Sequence, residues 1–153
     1  MQFGKLLILY LVLNFAALGI GSWLMGTGPT GQWYLNLNKA PWTPPGWVFG
    51  FAWTTIMVCF SFYLTYLTLF SEDNYFKGLF AIQWVLNVSW NLIFFNLQLP
   101  LLGLIIICLL TIVVFMFLFK YWPLLKLKSI LVSPYAIWLC IAVSLNAYIV
   151  FKN

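Results

Sequence analysis

Residues 101–121 read LLGLIIICLLTIVVFMFLFKY, and this stretch decides the class of fold. Its one charge, Lys120, stands at the far end. Wound as an α-helix it would reach about 30 Å, the thickness of the hydrocarbon core of a bilayer. No strongly polar residue marks a water-facing side, so the helix belongs against lipid or protein on every face. Pro100 opens the run, where a missing N–H costs a helix nothing, and Pro123 ends it. Moving outward, four more apolar runs appear at residues 6–25, 46–70, 79–99 and 130–151. The first follows Lys5 as a signal peptide would. It is too long for the apolar part of one, and Gly-Thr-Gly-Pro-Thr-Gly follows it instead of a cleavage site, so it reads as a retained helix. The expected fold is an all-α membrane protein, one domain over residues 1–153 built as a five-transmembrane-helix bundle.

Composition agrees. Of 153 residues 65% are hydrophobic, 21% aromatic and only 6% charged, where a soluble domain carries about 25% charged residues. Mean hydropathy is +1.03. Seven lysines, no arginine and two acids give a net charge of +5. The lysines are dispersed at the ends of apolar runs, so they serve a membrane interface and not nucleic acid, which would need a polybasic run. With no histidine, and Glu72 and Asp73 adjacent in a link, the spans hold no obvious general base and no multi-ligand metal site. Cys59, Cys108 and Cys140 stand singly in separate runs, as small packing residues do. Five spans would put Lys5, Lys77, Lys120, Lys126 and Lys128 on one side and Lys39 and Lys152 on the other. That places the N-terminus inside. An integral, multi-pass position, in a bacterial cell membrane, is expected. No internal repeat is visible, which disfavours an inverted-repeat transporter.

The link over residues 26–45 holds Trp33, Tyr34 and Trp42 among glycines and prolines. It can fold over the bundle as a lid, or rest on the headgroups as an aromatic belt. Thr43 is placed to cap a helix with Pro44 and Pro45 in its first turn. Within the third run Gln83, Asn87 and Asn91 recur every fourth residue on one drifting face, flanked by Trp84, Trp90 and Phe94. The fifth run repeats the device with Trp138, Ala142 and Asn146, and the second offers Gly46, Gly50, Trp53 and Met57. A lone amide in a span, such as Asn14, is ordinarily interhelical glue worth about 0.6 kcal/mol. Three helices each presenting a polar or small stripe edged by tryptophan can instead line a pocket for a flat, largely apolar ligand. The fourth helix is expected to face lipid or a second subunit, with Gly103 permitting close approach.

The run Trp42-Thr43-Pro44-Pro45-Gly46-Trp47-Val48-Phe49-Gly50 resembles the signature of the TspO/MBR family, the tryptophan-rich sensory proteins related to the mitochondrial translocator protein. Trp33-Tyr34 precedes it and Trp53 follows. Then come Asn87-x-x-Trp90-Asn91, Phe94-Phe95, Pro134-Tyr135-x-x-Trp138 and Leu145-Asn146, in family order over nearly the whole chain. The resemblance implies a homodimer of five-helix bundles binding porphyrins such as protoporphyrin IX, with no cofactor or metal required. It also implies light-dependent breakdown of the porphyrin, with Trp53 and Trp138 as the catalytic pair. Ligand-binding positions would be Tyr34, Pro45, Gly46, Phe49, Trp53, Gln83, Asn87, Trp90, Asn91, Phe94, Trp138 and Ala142. The porphyrin propionates could approach Lys39 or the free N–H groups near Gly46. Two other roles are compatible: a carrier of porphyrin or another lipophile, or a ligand-switched interaction protein. The chain departs from the family where Ala40 separates Lys39 from Pro41. Its Leu145-x-x-Tyr148-x-x-x-Lys152 meets only a loose sterol pattern, so sterol is the less favoured ligand.

Overall fold

The computed structural model describes residues 2–153. Five long helices account for most of it: α1 (Gln2–Leu24), α2 (Gly46–Phe70), α3 (Tyr75–Asn91), α4 (Pro100–Lys120) and α5 (Ser133–Lys152). Each of the five is long and apolar enough, by itself or with the turn that follows or precedes it, to cross a membrane. The fold is therefore the expected all-α membrane bundle.

The ends of the helices depart from the sequence reading by about one turn, and by two at the C-terminal end of α3, each for a local reason. Gly26 (φ 62°) and Gly28 (φ 50°) take left-handed conformations that stop the chain from continuing α1. Pro45, in an extended conformation, is the residue before α2, so the helix starts at Gly46 with no side-chain cap. Thr43 does not cap it, contrary to expectation: its hydroxyl donates to the Ala40 carbonyl (2.7 Å), closing a turn within the lid. After Asn91, α3 widens into one π-helical turn, Leu92–Asn96, before Pro100 opens α4. Between α4 and α5 the chain makes a short turn, Trp122–Leu125, and a 3-10 segment, Lys126–Val132. Pro134 sits in the first turn of α5, where it breaks no hydrogen bond.

Packing closes a ring in the order α2, α1, α3, α4, α5 and back to α2. The inner half of α2 is the most deeply enclosed part, with Met57, Phe60, Tyr63, Leu64 and Leu67 at 0% exposure. Phe60 meets Phe117 of α4 and Tyr135 of α5 edge-on, each at 5.4 Å between ring centres. The Tyr63 hydroxyl donates to the Phe117 carbonyl (2.7 Å), so its polar end is satisfied in the core. On the other side, Asn14 donates to Ser61 Oγ (2.8 Å) and Tyr10 shares a hydrogen bond with Thr68 (2.7 Å), which pins α1 to α2. Asn14 thus has the gluing role.

The alternating helix directions bring Lys5, Lys77, Lys120, Lys126 and Lys128 to one end of the bundle and Lys39 and Lys152 to the other. On α4 the exposed residues Leu101, Ile105, Leu109, Ile112, Met116 and Phe119 form one helical stripe facing away from the protein. Gly103 is not on that stripe. It is buried, and a Cβ there would lie 3.0 Å from Phe94 Cδ2, so it admits a close approach inside the chain and not a second subunit.

Candidate functional site

Three helices converge at mid-depth. From α2, Phe49 meets Trp138 of α5 edge-on at 5.2 Å, and Trp53, one turn further in, meets Tyr135 of α5 at 5.9 Å. From α3, Gln83 Nε2 donates to the Tyr135 hydroxyl (2.8 Å). Gln83, Tyr135 and Trp138 are buried, while Phe49 and Trp53 are half-buried. Gly46 and Gly50, above Trp53 on α2, have open space where a Cβ would stand. Asn87 and Ala142, one turn further along α3 and α5, are buried as well. The helical repeat explains the alignment: steps of three and four residues keep these side chains on the inward faces of their helices.

The lid packs on the ends of α3 and α5, beyond this arrangement. It contains a 3-10 turn, Gly28–Thr30, and one helical turn, Gln32–Leu35. Tyr34 packs on Phe95 (5.3 Å) and Trp33 on Phe94 (5.7 Å), both in the π turn that ends α3. Trp90 stacks on Phe94 at 5.3 Å with an interplanar angle of 13°. The π turn adds a residue to the helix and so aims both phenylalanines at the lid. Burial holds the Tyr34 phenol above its ordinary pKa. The Lys39 ammonium donates to the carbonyls of Tyr34 (2.9 Å), Leu35 (3.1 Å) and Leu37 (3.4 Å), closing the short helix at its C-terminal end. Further along, Asn38 and Asn153 exchange backbone and side-chain hydrogen bonds, Trp42 Nε1 donates to Ser144 Oγ (3.2 Å), and the Trp42 ring meets Tyr148 at 5.5 Å. Belt positions do exist, at Trp23 and Trp47, both largely exposed. Trp33 and Tyr34 are not among them.

The residues singled out in the sequence therefore fall into groups. Phe49, Trp53, Gln83 and Trp138 come together, and Tyr34, Trp90 and Phe94 form a second cluster under the lid. Phe94, at 1% exposure, supports that cluster from behind, against Gly103. Pro45 and Gly46 lie exposed at the rim. Asn91 turns toward α1, its amide so close to Gly21 that a Cβ there would come within 2.7 Å of Nδ2. Trp84 also serves α1, donating to the Leu13 carbonyl (2.9 Å). Two contributors were missed. Tyr135 joins Gln83 to Trp53, and Phe95 carries Tyr34. Both stood in quoted motifs, and the spacing of Tyr135, one turn before Trp138, was the signal that could have found it.

Chemically the site offers indole and phenyl faces with few polar groups, and several of those lack partners. Gln83 Oε1 and Asn146 Oδ1 are buried acceptors, and Trp90 Nε1 is a buried donor, each without a hydrogen bond. A buried polar atom left this way costs about 1–3 kcal/mol, which a ligand or ordered water can recover. A separate surface groove of about 420 Å³ on the outward face of α4 shares none of these residues.

The TspO/MBR family model matches residues 9–152. A tryptophan-rich protein TspO from Archaeoglobus fulgidus is 33% identical over 93% of this chain and 94% of its own. One from Chlorobaculum tepidum is 34% identical over 82% of each. The human translocator protein is 30% identical over 80% of this chain and 75% of its own. With a bundle of five membrane helices, a tryptophan-edged interior and a match along almost its full length, the chain belongs to the TspO/MBR family.

Proposed function

We propose that the protein binds a porphyrin within the bilayer, in tetrapyrrole homeostasis or stress sensing, and promotes light-dependent breakdown of protoporphyrin IX. The observation that carries the reading is the convergence of Trp53 and Trp138 with Gln83 across α2, α3 and α5. Indole and phenol faces suit a wide π surface. The orphaned acceptor Gln83 Oε1 suits a pyrrole N–H of a metal-free ring. A chain without histidine cannot supply the commonest haem ligand, which points the same way. Lys39 is engaged with three carbonyls, so the free N–H groups at the start of α2 are the better seat for a propionate. When bound, the pigment would absorb the light, and dissolved dioxygen would be the oxidant whose oxygen atoms enter as a ring carbon–carbon bond breaks. The indoles of Trp53 and Trp138 would lend one electron to the excited ring and take it back. No acid–base residue is needed. The proposed assembly is a homodimer in a bacterial cell membrane.

The test is to illuminate purified protein with protoporphyrin IX and follow its absorbance. Decay faster than with the Trp53→Phe, Trp138→Phe variant supports the reading, and equal decay rejects it. A carrier role, which the name translocator protein suggests for the human relative, requires ready release. The lid is tied at Tyr34–Phe95 and at Asn38–Asn153, which favours retention. Uptake of porphyrin into proteoliposomes separates the two.

A further inference from the structure

We propose that the outward face of α4 binds an anionic phospholipid from the lysine-rich leaflet, one acyl chain lying in the groove and the headgroup phosphate on Lys120. The groove, about 420 Å³, runs along one face of the helix, from Thr111 past Ile112, Phe115, Met116 and Phe119 to Lys120. From Thr111 to Lys120 the helix rises about 14 Å, close to half of a ~30 Å hydrocarbon core. The groove therefore spans one leaflet from mid-plane to interface, as an acyl chain does. Phe115 and Phe119 stack at 5.7 Å and 17°, giving a flat wall. A smaller recess of about 290 Å³, lined by Leu118, Phe119 and Trp122, adjoins the groove at the depth of Lys120.

Charge selects the headgroup. Lys120 lies over the Tyr75 ring (3.5 Å), which fixes the ammonium at the groove's end without neutralising it. Lys77, Lys126 and Lys128 share that end of the bundle with the carboxylates of Glu72 and Asp73, which leaves an excess of positive charge. Each lysine near a membrane surface favours anionic lipid by about fivefold. A second copy of the chain is the weaker occupant. A two-fold axis along the membrane normal beside α4 would bring the two Lys120 ammoniums together in one leaflet.

The experiment uses the full chain in detergent micelles, incubated with equal phosphatidylglycerol and phosphatidylcholine and weighed intact by native mass spectrometry. The wild type is expected to retain phosphatidylglycerol preferentially. Lys120→Gln should cut the ratio of the two retained lipids about fivefold, while Lys120→Arg and Lys152→Gln, the latter at the opposite end, leave it unchanged. Ile112→Trp, which fills the groove, should lower retention of both lipids. Circular dichroism confirms that each variant is helical, and Lys120→Arg tests the charge where Lys120→Gln fails to fold. Three results overturn the proposal: equal retention of the two lipids by the wild type, displacement of the lipid by free glycerol phosphate, or an Ile112→Trp variant that loses a protein dimer and keeps its lipid.

Discussion

Among the described residues the hydrogen bond from Gln83 Nε2 to the Tyr135 hydroxyl is the one polar side-chain tie between α3 and α5 at the candidate site, and its worth can be measured apart from packing. Tyr135→Phe keeps the ring, and with it the edge-on contacts to Trp53 (5.9 Å) and Phe60 (5.4 Å). What it removes is the acceptor for Gln83. Gln83 Oε1 already lacks a partner, so both ends of a buried carboxamide are then stranded. A stranded buried amide costs about 1–3 kcal/mol, and interhelical hydrogen bonds in membranes average about 0.6 with a maximum near 1.7. A loss of about 1–2 kcal/mol is expected. Gln83→Leu removes the amide and strands only the phenol, which is a smaller loss. The double variant strands neither group. Its destabilisation should fall short of the sum of the singles by about 1 kcal/mol, whereas independent sites add within about 0.3–0.5. Reversible unfolding in mixed micelles gives the three values, and additive singles would falsify the view that this bond couples the two helices.

Other perturbations test neighbouring contacts. Gly103→Ala puts a methyl 3.0–3.1 Å from Cδ2 and Cβ of Phe94, and the Cβ cannot swing away. Overpacking of about 1–3 kcal/mol then outweighs a helical gain of about 0.5–1, so the melting temperature falls, and a rise refutes the placement. Gly21→Ala meets Asn91 Nδ2, the far end of a flexible side chain, and should cost less than Gly103→Ala in the same melt. Lys39→Met frees three carbonyls of the lid and should speed amide exchange over residues 32–37 while global stability moves by less than about 0.5 kcal/mol. Tyr34, held above its ordinary pKa by burial, adds no pH dependence below about pH 10. Above it the unfolded phenol ionises first, so stability falls as pH rises, and Tyr34→Phe should flatten that decline.

Most of the fold was legible because a bilayer constrains a chain so strongly. A run without charges such as 101–119 has one stable form in lipid, a helix, and lysines at the ends give its direction. The boundaries were less legible because capping is local and has several solutions. Thr43 could cap α2 in sequence, yet the lid needs it for its own turn. The site was legible as stripes, since period-four amides on α3 and the Trp138 face of α5 report inward surfaces. Sequence could not divide those amides by partner. Asn87 and Asn91 are equivalent in spacing, but a step of four residues drifts around the helix, and Asn91 ends against Gly21 of α1. Gly103 likewise reads as a small residue on an apolar helix, and only the packed chain says which neighbour uses the space.

Unpaired atoms alone do not separate glue from site, since Asn14 Oδ1 is as unpaired as Gln83 Oε1; what sets Gln83 and Trp90 apart is the company of aromatic rings. Along the α1–α2 seam, Tyr10, Ser61 and Thr68 find partners within the protein, and only Asn14 Oδ1 is left over. Along α3 and α5, Gln83 is half-satisfied, the Trp90 N–H has nothing, and Asn146 reaches only its own helix at 3.3 Å. A seam built solely for cohesion gains nothing from buried unpaired atoms, since apolar side chains of the same size pack there at no polar cost. Beside aromatic rings, such atoms are consistent with a partner outside the chain, and the rings suit a broad and flat one. That contrast is testable without knowing the ligand. Replacing Asn14 by Leu should change stability and leave porphyrin quenching of tryptophan fluorescence intact. Replacing Gln83 by Leu should weaken the quenching by more than it changes stability, and equal behaviour of the two would show that the α3–α5 stripe is glue as well.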